Sequence, residues 1–203
     1  MSYFMKMACR ASLFAILGGL LTTAVARQNN ANTSSGPSSP SSSRLSKGDQ
    51  TFIKGAAEGG MAEVELGRLA VEKTSNDDVK KFGQRMVDDH SKANEELKEI
   101  ATKKNVALPN EPSAKHKATK DRLSKLSGSQ FDKAYMSDML KDHKKDVADF
   151  QRESNTGRDA EVKSFAAQTL PALKDHLKEA KSIAPKVMQS RQSMVDAPKA
   201  SQR

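Results

Sequence analysis

Three of the four histidines in this chain lie in the middle of amphipathic segments with helical spacing. They are His90, His143 and His176, and each lies on the apolar side of its segment. A fourth segment carries Glu63 at the same depth along its length. Because buried imidazole and carboxylate groups need polar partners or a metal ion, the pattern predicts that these four side chains converge at one polar centre.

Two kinds of centre fit these residue types. Imidazole and carboxylate ligands suit zinc or copper, and a thioether from Met86 or Met139, each four residues before a histidine, would favour cuprous copper. Alternatively, the same groups form a hydrogen-bonded network that fixes the register of the helices without any ion. The sequence leaves both alternatives open. The remaining histidine, His116, lies in a lysine-rich stretch and is predicted to be a solvated surface residue.

An aspartate precedes each of the three mid-helix histidines. These aspartates are Asp89, Asp142 and Asp175. Consecutive residues point about 100° apart around a helix, so the aspartates are expected near the seams between helices. From a seam, a carboxylate can orient a histidine of a neighbouring helix, which is a common role of carboxylates around metal ligands.

Four long segments must position these side chains. Apolar residues at spacings of three and four predict helices over residues 49–73, 77–104, 129–154 and 158–184, with a minor helix over 113–126. Tryptophan is absent and no alternating strand pattern occurs. The expected fold is therefore all-α: an antiparallel four-helix bundle with a short extra helix between the second and third main helices.

Glycine and proline modify two of these helices. The first is expected to bury one face, which contains Phe52, Ala56, Gly59, Glu63, Leu66 and Ala70. Its glycines at 55, 59, 60 and 67 are expected to permit close approach of a neighbouring helix. Pro171 is expected to kink or bend the last main helix near His176.

The two ends of the chain differ from the middle. Residues 1–26 have a short basic region, an apolar run and a small-residue ending, which predicts a cleaved secretory signal that would remove Cys9, the only cysteine. An uncleaved membrane anchor is the alternative. Residues 27–48 are rich in Ser, Asn, Gly and Pro and are expected to be a disordered linker, whereas 185–203 are expected to form a loose tail. The bundle domain is predicted over 49–184.

The order of several short motifs resembles a known bacterial exported family, the domain of unknown function 4142. The motifs are Ala57-Glu58, residues 63–67 (EVELG), residues 79–82 (VKKF), residues 86–90 (MVDDH), Phe131-Asp132, Tyr135, His143, Leu170-Pro171 and His176-Leu177. The resemblance covers roughly 49–184 and implies a ferritin-like helical bundle, with no established activity. Ferritin-like di-iron centres use Glu-x-x-His pairs, but Val87, Leu140 and Leu173 stand three residues before the histidines, which disfavours ferroxidase or oxygenase chemistry.

No base and nucleophile pair can be assigned, so the protein is expected not to be an enzyme. The function that follows is an exported non-catalytic bundle that acts as an envelope interaction or stress-related module. The alternative is a periplasmic protein that binds zinc or copper at the central cluster. The expected location is the periplasm or the outside of the cell, without stable membrane insertion after signal cleavage. A net charge of +9 favours anionic envelope surfaces as partners, while nucleic-acid binding is not expected because no groove-reading motif occurs.

Overall fold

The computed structural model describes residues 45–189, and these residues form five helices. They are α1 (Lys47–Lys73), α2 (Asp77–Lys103), α3 (Ala114–Ser124), α4 (Gly128–Thr156) and α5 (Ala160–Gln189). The all-α prediction, including the short extra helix, is confirmed. No helix in this part of the chain combines the length and apolar character that crossing a membrane requires. The predicted signal, most of the predicted linker and residues 190–203 lie outside the described residues.

The four long helices form a bundle in which every neighbouring pair is antiparallel. Short turns join α1 to α2 and α4 to α5, and α1 also packs on α4 while α2 packs on α5. Thr74 at the end of α1 donates to Asp132 at the start of α4, with a distance of 2.5 Å between Oγ1 and Oδ1. Lys104, just after α2, pairs with Asp159, just before α5. The long connection that contains α3 packs on α1 and α4.

Helix ends follow from local capping. Ser46 caps α1 by accepting from the Asp49 backbone N–H, and Asn76 caps α2 by accepting from two backbone N–H groups. The predicted linker therefore ends at Ser46, two residues earlier than expected. Gly157 ends α4 with extended backbone angles. Glycine is required there because a Cβ would crowd the Glu153 carbonyl oxygen at 2.7 Å.

The predicted loose tail is wrong in its first five residues. Helix α5 continues through Pro185 to Gln189, because Val187 is buried in the apolar core at 2 % exposure. Burial of this side chain offsets the backbone hydrogen bond that proline cannot make. Pro171 also lies within the same continuous helix.

The predicted buried face of α1 is correct only from Glu63 onward. In its first half the buried residues are Asp49, Ile53, Ala57 and Gly60, and the last three each lie one position after a predicted residue. Phe52 is only half-buried and packs edge-on against Phe150, with ring centroids 4.9 Å apart. Five of the six residues from 55 to 60 are glycine or alanine. They give little contrast between helix faces, so the sequence alone could not fix which face of this half is buried.

Two apolar clusters fill the bundle, one toward each end. One contains Phe82, Phe131, Tyr135 and both Met86 and Met139. The other contains Ile53, Leu97, Phe165 and Leu173. The mid-helix positions between the clusters carry the polar side chains predicted to converge, so the bundle has a polar layer between two apolar ones.

Candidate metal centre

Each of the four main helices contributes one side chain to the polar layer. Glu63 comes from α1, His90 from α2, His143 from α4 and His176 from α5, and all four residues are less than 10 % exposed. The three histidines offer ligand nitrogens that all lie within 4.8 Å of one another. The structure thus brings together the four residues that the sequence singled out.

Glu63 is the anion of the centre. Its Oε2 lies 2.8 Å from His90 Nε2, and its Oε1 lies 3.3 Å from His143 Nδ1. Burial alone would raise the pKa of Glu63, but the charges of His90 and His143 outweigh burial and lower it to about 2. Burial likewise tends to lower the pKa of His90, but Glu63 outweighs it and the net shift is upward. A buried ion pair between Glu63 and His90 results.

The contact between Glu63 and His90 is short but poorly aligned for a hydrogen bond. Among the described residues, Glu63 Oε1 and His90 Nε2 are both buried atoms without a hydrogen-bond partner. Buried polar atoms of this kind are rare in proteins and often mark a position where a ligand, water or ion is missing. These two atoms are in ion-pair contact but make no well-aligned hydrogen bond, which makes them candidate ligand atoms on the α1–α2 side of the centre.

In His143 and His176, the ring nitrogen that points away from the other histidine (the outer nitrogen) contacts a group that can only accept hydrogen bonds. His143 Nδ1 donates to the Met139 carbonyl oxygen at 3.0 Å, and His176 Nε2 donates to Asp89 Oδ2 at 2.7 Å. These contacts assign one proton to each outer nitrogen. Carbonyl and carboxylate partners of this type are the usual supports that orient metal-binding histidines.

The inner nitrogens of the same two rings face each other. His143 Nε2 and His176 Nδ1 are 3.3 Å apart. In two neutral rings whose protons are on the outer nitrogens, the inner nitrogens present lone pairs to each other, and this repulsive contact needs one cation between them. Two nitrogens bound tetrahedrally to one zinc ion at its usual bond length lie about 3.3 Å apart. The geometry therefore suits either an extra proton or a metal ion.

His176 is the less suitable carrier of that extra proton. Burial lowers the pKa of His176 to about 4, and the neighbouring His90 and His143 act in the same direction although Asp89 opposes them. At neutral pH the His176 ring is therefore neutral.

Of the three aspartates that precede the histidines, only Asp89 contacts a histidine of another helix. Arg85 also binds Asp89, at 3.2 Å, and so holds it at the α2–α5 seam. The predicted roles of Asp142 and Asp175 are not observed. Asp142 is half-buried without a hydrogen bond to any described histidine, and Asp175 is exposed on α5. All three aspartates stand about 100° around the helix from their own histidine, but only the α2–α5 seam places a histidine of the next helix within reach.

Met86 and Met139 are fully buried in one apolar cluster. Met139 contributes to the centre through its backbone carbonyl, which accepts from His143. His116 was predicted to be solvated, but it is half-buried and its Nδ1 lies 3.1 Å from Glu58 Oε1. It lies at the surface of the bundle and forms a pair separate from the central layer.

The sequence interpretation missed Asp146. This residue lines a cavity of about 30 Å³ together with Glu63 and His90. Burial and the negative charge of Glu63 raise the pKa of Asp146 to about 8, so this carboxyl is protonated at neutral pH. Its position three residues after His143 places both on one helix face, which was the available signal.

The chain matches the family model described as a domain of unknown function (DUF4142) over residues 34–183. The chain belongs to the DUF4142 family. This confirms the family inferred from the motifs. The comparison with curated proteins found no match.

Several solved structures share the fold of this DUF4142 protein. A DUF305 fragment from Deinococcus radiodurans has a TM-score of 0.62 at 13% identity, covering 70% of this chain and 98% of that one. CopM in its Cu(II)-bound form has a TM-score of 0.57 at 18% identity, with coverages of 68% and 96%. A Bacillus halodurans protein described as a spore coat protein has a TM-score of 0.56 at 12% identity, with coverages of 78% and 96%. At these identities the likeness shows the fold alone.

Proposed function

We propose that this protein binds one transition-metal ion through Glu63, His90, His143 and His176. The observation that carries the proposal is the 3.3 Å contact between the inner nitrogens of His143 and His176, whose outer nitrogens are already occupied. The ion would lie between these two lone pairs with His90 as the third histidine ligand. The Glu63 carboxylate, which contacts His90 and the outer side of the His143 ring, would turn toward the ion to complete the set. In CopM, a bundle of similar fold has been solved with Cu(II) and with silver.

The donor set favours zinc or cupric copper over cuprous copper. Three imidazoles and a carboxylate are ligands that both divalent ions accept. Thioether ligands, which would favour cuprous copper, are absent from the described centre because Met86 and Met139 pack in the apolar cluster. With no nucleophile assigned at the centre, the proposed role is to carry or store the ion outside the cytoplasm, following export by the predicted signal segment.

Titration of the purified mature protein with zinc, cupric and cuprous ions tests this proposal. We expect uptake of about one zinc or cupric ion per chain. At a free-ion concentration a hundredfold above Kd, linkage predicts about 2.7 kcal/mol of added stability, or a rise in Tm of roughly 5–10 °C. Calorimetric titration and thermal unfolding provide the two measurements. Absence of uptake at micromolar ion would refute metal binding.

Asp89 and Asp175 provide a matched comparison within this proposal. Both aspartates precede a histidine, but only Asp89 contacts one. We expect Asp89→Asn to weaken zinc binding by about 10–100-fold, because the neutral amide orients and polarises His176 less well. Asp175→Asn should leave Kd unchanged. Equal Kd values for the two variants in competition titrations would show that the Asp89 contact does not support a metal ligand.

A metal-free function is the second candidate. It is supported by the hydrogen bonds that His143 and His176 already make with Met139 and Asp89, which allow the centre to act as a purely structural network. The protein would then be a non-catalytic interaction module, with anionic envelope surfaces as partners of a chain whose net charge is +9. Failure of metal uptake combined with retention on anionic vesicles at low salt would favour this function.

A further inference from the structure

Two of the four glycines of α1 predicted to permit close helix packing, Gly55 and Gly59, have no role in packing. The other two, Gly60 and Gly67, face α2, where a Cβ would overlap Asn94 and Gly83 respectively. At Gly55 and Gly59, by contrast, an added Cβ would meet no atom within 4 Å. Glycine lowers helix stability relative to alanine, so close packing does not explain these two positions. The prediction of close approach holds at 60 and 67 and is wrong at 55 and 59.

The space beside these glycines connects the surface with the centre. A groove of about 240 Å³ lies at the α1–α4 seam, and the inner cavity of about 30 Å³ lies beneath it. Gly55, Gly59, Glu63 and Asp146 line both spaces. Because the two spaces share these walls, they are adjacent, and the inner one is large enough for a single water molecule or ion.

The inner end of this space presents unpartnered ligand atoms. Glu63 and His90 both line the small cavity. Their atoms Oε1 and Nε2 are two of four buried side-chain atoms without a hydrogen-bond partner among the described residues. A buried carboxylate oxygen and an imidazole nitrogen at the end of an open seam are a chemically suitable destination for a divalent cation.

The mouth of the groove does not oppose a cation despite the basic character of the chain. Glu58 lies 3.1 Å from His116, and the Lys145 ammonium lies 2.6 Å from Asp149, so these four side chains form two pairs. Lys115 and Asp142 also line the groove, one of each sign. Local charges are therefore close to balanced, and the path is controlled mainly by its width.

We infer that metal ions reach the histidine centre through the α1–α4 seam, past Gly59 and Asp146, to Glu63. This access route rests on the proposed function, since it requires an ion that binds. The two glycines keep the seam open, and any side chain at position 59 extends into it. The groove and the small cavity are both lined by Glu63, and both meet at this seam, where α1 and α4 supply their shared walls.

Gly59→Leu tests the route by narrowing it, and Ala148→Leu is the matched control. Ala148 lies on the exposed face of α4, away from the seam. Zinc uptake and release by the full mature chain would be followed by stopped-flow competition with a chromogenic chelator. We expect Gly59→Leu to slow uptake and release alike, each about tenfold, with unchanged Kd. Obstruction of a path alters the barrier in both directions equally.

Different results separate failure of the route from failure of the proposed function. Uptake by Gly59→Leu at the wild-type rate, or a raised Kd at an unchanged uptake rate, overturns the route while metal binding stands. Absence of zinc uptake by the wild-type chain overturns the proposed function, and the route with it. Gly59→Ala guards against a folding defect: it should raise Tm through better helix propensity while slowing uptake less than leucine does.

Discussion

Replacement of Glu63 by glutamine is expected to destabilise the metal-free protein by about 3 kcal/mol near pH 6, because the buried His90 imidazolium loses its counter-ion. Glutamine has the same shape and retains a hydrogen-bonding end, so the loss reports the charge rather than a cavity. Chemical denaturation at several pH values provides the measurement. A loss below about 1 kcal/mol would show that the centre does not contain a buried ion pair.

The effect of Glu63→Gln should depend on pH in a defined way. The pKa of His90 is raised above its ordinary 6.5, so the stability from this pair is complete below pH 6.5 and is lost as pH rises through the raised value. At the acid end it is lost as pH falls from 4.5 toward about 2, the pKa of Glu63. The destabilisation should therefore shrink in alkaline buffer.

Glu58→Gln is the matched control for that experiment. Glu58 lies on the same helix and also pairs with a histidine, His116, but the two side chains are 32% and 23% exposed. Solvent screens such pairs, and we expect a change of at most about 1 kcal/mol. Similar losses in both variants would mean that burial does not distinguish the central pair from the surface pair.

His143→Gln is expected to lower zinc affinity by roughly a hundredfold or more. Structural zinc sites bind with about 12 kcal/mol, so one of four ligands accounts for about 3 kcal/mol, which is at least a hundredfold in Kd. His143 is central because it faces His176 on one side and Glu63 on the other. Competition titration against a chelator of known affinity measures the change.

His116→Gln controls for zinc binding elsewhere on the molecule. His116 pairs with Glu58 at the surface and contributes no ligand to the central cluster of His90, His143 and His176. Its substitution should leave Kd unchanged. A larger loss in His116→Gln than in His143→Gln would place the zinc ion at the surface pair instead.

The helices were predictable because their apolar residues recur every three or four positions over many turns. The clearest case is α2, where Val79, Phe82, Met86, His90 and Leu97 follow this spacing and are all buried in the structure. The spacing predicted the wrong buried face in the first half of α1, because alanine and glycine leave little contrast between the faces of that helix. The sequence also placed the end of the last helix before Pro185, which is too early, because the burial of Val187 that extends it depends on packing against other helices.

The convergence of four polar side chains was predictable from their matching depth on separate helices. Their pairing was not, because it depends on how each helix is rotated about its axis. That rotation brings Asp89 to His176, leaves Asp175 in solvent, and places the half-buried Asp146 beside Glu63 and His90. Met139 contributes its carbonyl oxygen to His143 one turn later on the same helix, while its side chain packs in the apolar cluster.

The short turns divide the four main helices into two hairpins, and the centre joins one hairpin to the other. One hairpin, α1 with α2, supplies Glu63 and His90, and the other, α4 with α5, supplies His143 and His176. An ion held by all four would tie the two hairpins together much as a cystine bridge does. A chain with a single cysteine cannot form a disulfide within itself, so coordination would supply a reversible cross-link between the two hairpins.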